Sequence, residues 1–204
     1  MSALVVAAPL RLLVRCTPHA RLRNTAASLT LPGSVGAIAR CRNSSTVANA
    51  FKTGGGALVG LGVLSAFHHG LCDQADATMI IGSFGASAVL LFGAPSAPFS
   101  QPRNVIGGHV LSSLCGVGTT QLLADAVGVA VAGPVAVATA LVVMQLTRTV
   151  HPPAGGTALI AVHGSPAIDA LGWGFGVPCA VGPSVLVLSA LGLHRLTGVK
   201  YPAA

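Results

Sequence analysis

Between residues 54 and 194 the chain is a succession of apolar stretches, each nearly free of charge and separated by short polar or glycine- and proline-containing joints. They run at about 54–72, 77–94, 105–124, 126–147, 153–164 and 171–194. A helix rises about 1.5 Å per residue, so about 20 residues cross a hydrocarbon core. The stretch at 153–164 is too short for a complete apolar crossing. Only 7% of the residues are charged, against roughly 25% in ordinary soluble domains, and so few charges cannot clothe a water-soluble domain. The many glycines and alanines let helix backbones approach closely in lipid. The expected fold is therefore all-α: a polytopic transmembrane helix bundle of about five full helices plus one short broken helix, in contact with the lipid bilayer.

The net charge of +7 comes from one end of the chain. Arg11, Arg15, Arg21, Arg23, Arg40, Arg42 and Lys52 face no acid there, whereas Arg103, Arg148, Arg195 and Lys200 balance Asp73, Asp76, Asp125 and Asp169. Basic charge confined to a leader argues against a nucleic-acid surface on the folded body. Residues 1–50, rich in Arg, Ser and Thr and without acids, read as an organelle-targeting presequence, largely disordered. Composition leaves plastid and mitochondrion open. If all six stretches cross, every later basic residue and Lys52 fall on one side and all four aspartates on the other, which is the separation a positive-inside bias produces.

The stretch Arg148-Thr149-Val150-His151-Pro152-Pro153-Ala154-Gly155-Gly156-Thr157 interrupts this pattern. Two successive prolines cannot sit inside a helix, and the residue before a proline is pushed out of the α region. A helix should end near Thr147, His151 should be extended, and a short helix should start at Pro153 or Ala154. Gly85–Phe92 can be laid on Gly155–Val162 at an offset of about 70 residues, which divides the chain into two units of three segments. Three crossings per unit make the second inverted relative to the first. Inverted repeats with interrupted segments at matching positions mark the substrate sites of secondary transporters.

Gly82-Ser83-Phe84-Gly85-Ala86-Ser87-Ala88, Gln101-Pro102-Arg103-Asn104-Val105-Ile106-Gly107-Gly108-His109 and Thr147-Arg148-Thr149-Val150-His151-Pro152-Pro153-Ala154-Gly155 resemble, in this order, the HPP family of integral membrane proteins. The resemblance spans about 54–198 and makes that region one HPP transmembrane domain. The family is usually described with four spans, fewer than the six stretches counted here. Its plastid members are implicated in moving nitrite across the chloroplast envelope. The resemblance thus implies small-anion transport, nitrite foremost, across an organelle membrane, the chloroplast envelope favoured over the mitochondrial inner membrane.

A monovalent anion can be held by free N–H groups at a helix start, a cation and hydroxyl donors. The break offers the amides of Ala154, Gly155, Gly156 and Thr157 with the Thr157 hydroxyl, and the matching position offers Gly85, Ser87 and Ser83. Arg103 and Arg148 stand on the positive side, where they can attract an anion or serve as topology anchors. His151 can fix the turn or carry a proton, and His109, after two glycines, can line the path. Substrate-binding candidates are therefore Arg148, His151, Gly155, Gly156, Thr157, Gly85, Ser87, Arg103 and His109. No enzyme is expected: His-Glu-x-x-His is absent and the chain has no Glu. The five scattered cysteines suit burial better than metal or disulfide, so no metal or cofactor is expected. The competing reading is a membrane scaffold or assembly subunit, and pairing into a homo-oligomer is open in either case.

Overall fold

A computed structural model describes residues 44–69 and 74–203. The expected presequence lies outside the described residues up to position 43, as do the side chains of His68 and His69. Every regular element among the described residues is helical. The first helix, α1 (Ser44–His69), begins ten residues before the apolar stretch does, so the last residues assigned to the leader belong to the bundle. It is followed by α2 (Gln74–Gly93), a 3-10 turn (Pro98–Ser100), α3 (Pro102–Thr119), α4 (Val129–Leu146), α5 (Ala154–His163), α6 (Pro166–Leu171) and α7 (Gly176–Thr197).

Among the described residues, four helical stretches, Val47–Ala66, Pro102–Val127, Val129–Leu146 and Pro166–Thr197, are long and apolar enough to cross a membrane. Two shorter apolar ones, Gly82–Gly93 and Ala154–His163, accompany them. The bundle is apolar outside, and its largely apolar interior also holds polar side chains. Leu58, Val89, Leu122, Leu146, Leu188 and Leu196 are exposed, while Ser83, Ser87, His109, Ser112, Ser113, His151 and Thr157 are buried. That distribution suits a lipid surround, where polar side chains turn to the bundle interior.

Packing explains how the short α5 takes its place. Ala132, Ala136, Ala140 and Met144 recur every fourth residue on α4 and pack with Ala154, Ala158 and Val162 of α5. On α3, a Cβ added at Gly116 would lie 2.5 Å from the Ala161 Cβ and 2.7 Å from the Ala158 carbonyl oxygen. A glycine is required for that close approach. One turn further, Thr120 donates to the carbonyls of its own Gly116 and of Ala161 across the interface, at 3.0 and 2.9 Å. The helix widens there into a π-turn over Thr120–Ala124.

The chain before α5 is not helical, and it lies along the first turns of α3. Asn104 Nδ2 donates to the Val150 carbonyl at 2.9 Å. A Cβ on Gly107 would meet the Thr149 methyl, and one on Gly108 the His151 Cβ. The irregular segment 147–153 and α5 thus follow α3 in succession, and together they complete the crossing that α5 alone is too short to make. Irregular backbone inside a membrane is tolerated where protein buries it.

Residues distant in sequence meet at one end of the bundle. Arg103 Nη2 donates to the Thr147 carbonyl, Tyr201 to the Ser100 carbonyl, and the Ala203 amide to Gln101 Oε1. Lys52, Thr53, Pro95, Thr197 and Val199 line one cavity of about 380 Å³ at this same end. Lys52, Arg103, Arg148, Arg195 and Lys200 therefore share an end. Asp169 lies at the other, beside Gln121 and Gly172, with Asp125 one turn from Gln121. Burial raises the Tyr201 phenol above its usual range, which keeps it a donor.

The packing also exchanges between the two halves. α3 packs on α4 and α5 of the second half, and its counterpart α7 packs on α1 and α2 of the first. Within each half, α1 packs on α2 and α4 on α5. One expectation of the repeat is corrected: α2 runs unbroken through Gly82 and Gly85, so the position matching the proline break is helical. Two adjacent prolines stop a helix, whereas isolated glycines merely weaken one.

Candidate functional site

The break brings a closed set of polar side chains together about 10 Å in from the basic end, taking His109 as the eighth residue of α3 at the helical rise. His151 directs Nδ1 at the Phe99 carbonyl, 2.7 Å away. Its Nε2 lies 2.8 Å from Ser87 Oγ, and the same hydroxyl lies 2.8 Å from His109 Nε2. On the far side of that ring, His109 Nδ1 lies 2.7 Å from Thr157 Oγ1. Thr157 Oγ1 is 2.9 Å from Ser83 Oγ, which also lies 2.9 Å from the Pro153 carbonyl oxygen. Ser87, His109 and His151 have no exposed surface. Phe84 meets the His109 ring edge to face, with centroids 5.0 Å apart, and the two histidine rings are 5.1 Å apart.

Each participant is held by its element. Ser83 and Ser87 are four apart on α2 and share its inner face. Thr157 lies on the first turn of α5, and His109 on the second turn of α3. His151 is placed by the two prolines that follow it and by the absence of side chains on Gly107 and Gly108. A Cβ on Gly108 would lie 2.7 Å from the His151 Cβ and 3.1 Å from the Thr149 carbonyl.

Proton positions follow from the partners. A carbonyl oxygen only accepts, so His151 Nδ1 carries a hydrogen and its Nε2 is an acceptor in the neutral ring. Ser87 must then donate to His151, which leaves its oxygen to accept from His109 Nε2–H. His109 Nδ1 is in turn an acceptor, and Thr157 donates to it. Ser83 supplies the remaining hydrogen to Thr157 Oγ1, with the Pro153 carbonyl as the alternative acceptor 2.9 Å away. The neutral network is a single directed chain of donors in which both rings have both nitrogens engaged.

Among the nine candidates named from the sequence, Ser87, His109, His151 and Thr157 form this chain. Gly156 adjoins it, its added Cβ falling 3.6 Å from Ser83 Oγ. Gly155 faces Val137 instead, and Gly85 faces open space. Arg103 and Arg148 are exposed at the outer end of the break, one through the Thr147 carbonyl and the other at a positive φ of 57°. The expectation of unpaired amides at the start of α5 is corrected. The amides of Ala154, Gly155 and Gly156 donate to the carbonyls of His151, Pro152 and Pro153, each at 3.0 Å. The chain enters α5 through a tight turn whose i→i−3 bonds consume those donors.

Sequence reading gave Ser83 only a secondary place, although its spacing from Ser87 signals a shared face. It missed Asn104 and the Phe99 carbonyl. Asn104 was legible as a polar residue one turn from the glycine pair, whereas a backbone carbonyl leaves no mark in a sequence. No group of three or more His, Cys, Asp or Glu side chains able to hold a metal occurs among the described residues.

Comparison with known proteins places these residues in a wider set. The family model described as HPP, transmembrane region, matches residues 42–202. Two transmembrane proteins of Dictyostelium discoideum are similar. One is 36% identical over 146 residues, covering 71% of this chain and 47% of the relative. The other is 39% identical over 148 residues, covering 70% and 51%. The chain thus spans about half the length of these relatives. No solved structure matches it.

Proposed function

The chain belongs to the HPP transmembrane family, and on that footing we propose that it is a transporter of a small monovalent anion, nitrite foremost, across an organelle membrane. The chloroplast envelope is the favoured location and the mitochondrial inner membrane the alternative. The observation that carries this reading is the buried Ser87–His109–Thr157 cluster at the helix break. Polar and ionisable side chains in the interior of a membrane bundle are costly to place, and they mark ion and substrate paths. Here they sit where two repeat-related helices meet an interrupted segment, which is where secondary transporters place their sites. Hydroxyl and imidazole N–H groups are donors of the kind that replace the hydration of a small oxyanion. Arg103 and Arg148 at the outer end supply the attractive field for an approaching anion.

In the resting geometry all these donors are engaged with one another. Anion entry therefore requires α2 and the break to part, so that hydroxyls released from the network turn to the anion. Alternating access by relative movement of two halves around a fixed site has that form. The cluster's hydroxyl and imidazole N–H groups supply binding, and the reading is transport.

Full-length protein in proteoliposomes tests it. Nitrite, nitrate and chloride uptake are measured separately and in competition. Saturable nitrite uptake, inhibited by excess unlabelled nitrite more than by chloride, supports the proposal. Absence of flux for all three anions, with helicity intact, favours the scaffold reading instead.

A further inference from the structure

We propose that the Ser83–Thr157–His109–Ser87–His151 chain is also a binding site for one proton, and that this proton moves with the anion. The inference rests on the transport reading and specifies its coupling ion. It comes from counting hydrogens along the chain, which ends on carbonyl oxygens at both extremities: Phe99 beyond His151 and Pro153 beyond Ser83.

The neutral chain sends one hydrogen to the Phe99 carbonyl and runs in one direction from Ser83 to His151. Suppose a proton is added to His109 Nδ1. Thr157, no longer needed as donor there, accepts from that N–H and turns its own hydrogen to Ser83 Oγ. Ser83 then donates to the Pro153 carbonyl, 2.9 Å away. Every donor retains an acceptor and the ring carries +1. The charge can move on without loss of any bond. The His109 Nε2–H bond breaks as a Ser87 O–H bond forms. The original Ser87 O–H bond breaks as a His151 Nε2–H bond forms. His109 is left neutral with its hydrogen on Nδ1, and His151 carries the charge. Ser87 Oγ, 2.8 Å from both Nε2 atoms, is the relay. Its direction reverses in the transfer, as the directions at Thr157 and Ser83 did on protonation.

The site accommodates a single proton. With both rings charged, two cations would face each other at a centroid distance of 5.1 Å. The Ser87 hydrogen would retain only the Ser83 carbonyl, at 3.2 Å. The surroundings offer no other charge to compensate. α2 contributes Ser83, Ser87 and Phe84, α4 Met144, and α5 Thr157. On α7 the Cys179 thiol is hydrogen-bonded with Ser113, and His194 is engaged with the Leu91 carbonyl at 2.9 Å. No Asp, Glu, Lys or Arg is buried among the described residues. A lone buried cation is unfavourable unless paired, so the protonated chain favours a bound monovalent anion and the anion favours the proton. Their mutual dependence is the coupling.

The test uses full-length protein in vesicles loaded with a pH-sensitive dye, with nitrite as the probe and the membrane potential clamped. The expected result is lumen acidification with nitrite entry at one proton per anion, uphill accumulation driven by an acidic exterior, and no change in rate on imposing a potential. Protein-free vesicles correct for nitrous acid leak, which also carries one proton per nitrite. His151→Asn keeps a donor for the Phe99 carbonyl but has no Nε2, and should lower nitrite-dependent proton entry at least tenfold. Saturable nitrite flux with no accompanying proton, or a variant that acidifies at the wild-type rate, overturns the coupling and leaves transport standing. No nitrite flux in the wild type overturns both.

Discussion

Ser87 and Thr157, which a sequence offset of about 70 residues lays on each other, hold opposite nitrogens of one imidazole, that of His109, at 2.8 and 2.7 Å. One hydroxyl comes from α2 and the other from α5, so the ring ties these two helices to α3.

Because both hydroxyls act on one ring, their removal should not be additive. Ser87→Ala strands the Nε2 atoms of both histidines, and Thr157→Val strands His109 Nδ1. Each should cost about 1–3 kcal/mol, the range for buried groups left unpartnered. The double variant should cost less than the sum, because a ring freed on one side can reorient. Unfolding in detergent, monitored for the four members of this cycle, measures the difference.

The donor directions fix the tautomers. In membranes at neutral pH, ¹⁵N spectra of histidine-labelled protein should show His151 carrying its hydrogen on Nδ1 and His109 carrying its hydrogen on Nε2. Spectra in which both rings share one tautomer would contradict the directed chain.

Gly108 decides whether the proline segment can lie against α3. A Cβ there falls 2.7 Å from the Cβ of His151, an atom that moves only with its backbone. Gly108→Ala should therefore destabilise the protein by about 1–3 kcal/mol, the cost typical of overpacking, and should displace the His151 ring from Phe99. Gly85→Ala, with open space at its Cβ, should be neutral or slightly stabilising as a helix substitution. Thermal unfolding of the two variants side by side separates them.

Arg148 combines a strained backbone, at φ 57°, with an exposed cation. Arg148→Gly relieves the strain and should raise stability by up to about 1 kcal/mol. It should also slow nitrite uptake, most strongly at low ionic strength, where surface charge acts furthest. A variant that is more stable yet slower separates the two roles. Equal uptake at all salt concentrations would reduce Arg148 to a turn residue.

Much of this was legible beforehand, and the parts that were not share a cause. The prolines of 152 and 153 announced the break, and α4 ends at Leu146 and α5 begins at Ala154 because proline chemistry is local. The distribution of arginines and aspartates announced which charged residues share an end of the bundle, since charge placement is read from sequence order alone. The bonding of Ala154, Gly155 and Gly156 was misread as free, because which carbonyls a turn brings within reach depends on dihedrals that composition does not fix. The continuity of α2 through Gly82 and Gly85 was missed for the related reason that packing overrides weak propensity. Convergence of Ser87, His109 and His151 from three elements is a tertiary fact. The Phe99 carbonyl, on which the proton directions depend, is invisible in any pattern of side chains.

The measurement that bears most directly on the account is nitrite uptake by full-length wild type, Ser87→Ala and Ser87→Thr in matched vesicles. The account predicts saturable wild-type uptake, a fall of at least tenfold in the alanine variant, and substantial recovery in the threonine variant, which restores the hydroxyl between the two rings. Uptake by folded Ser87→Ala at the wild-type rate would contradict it, because the anion would then pass without using the cluster at the break.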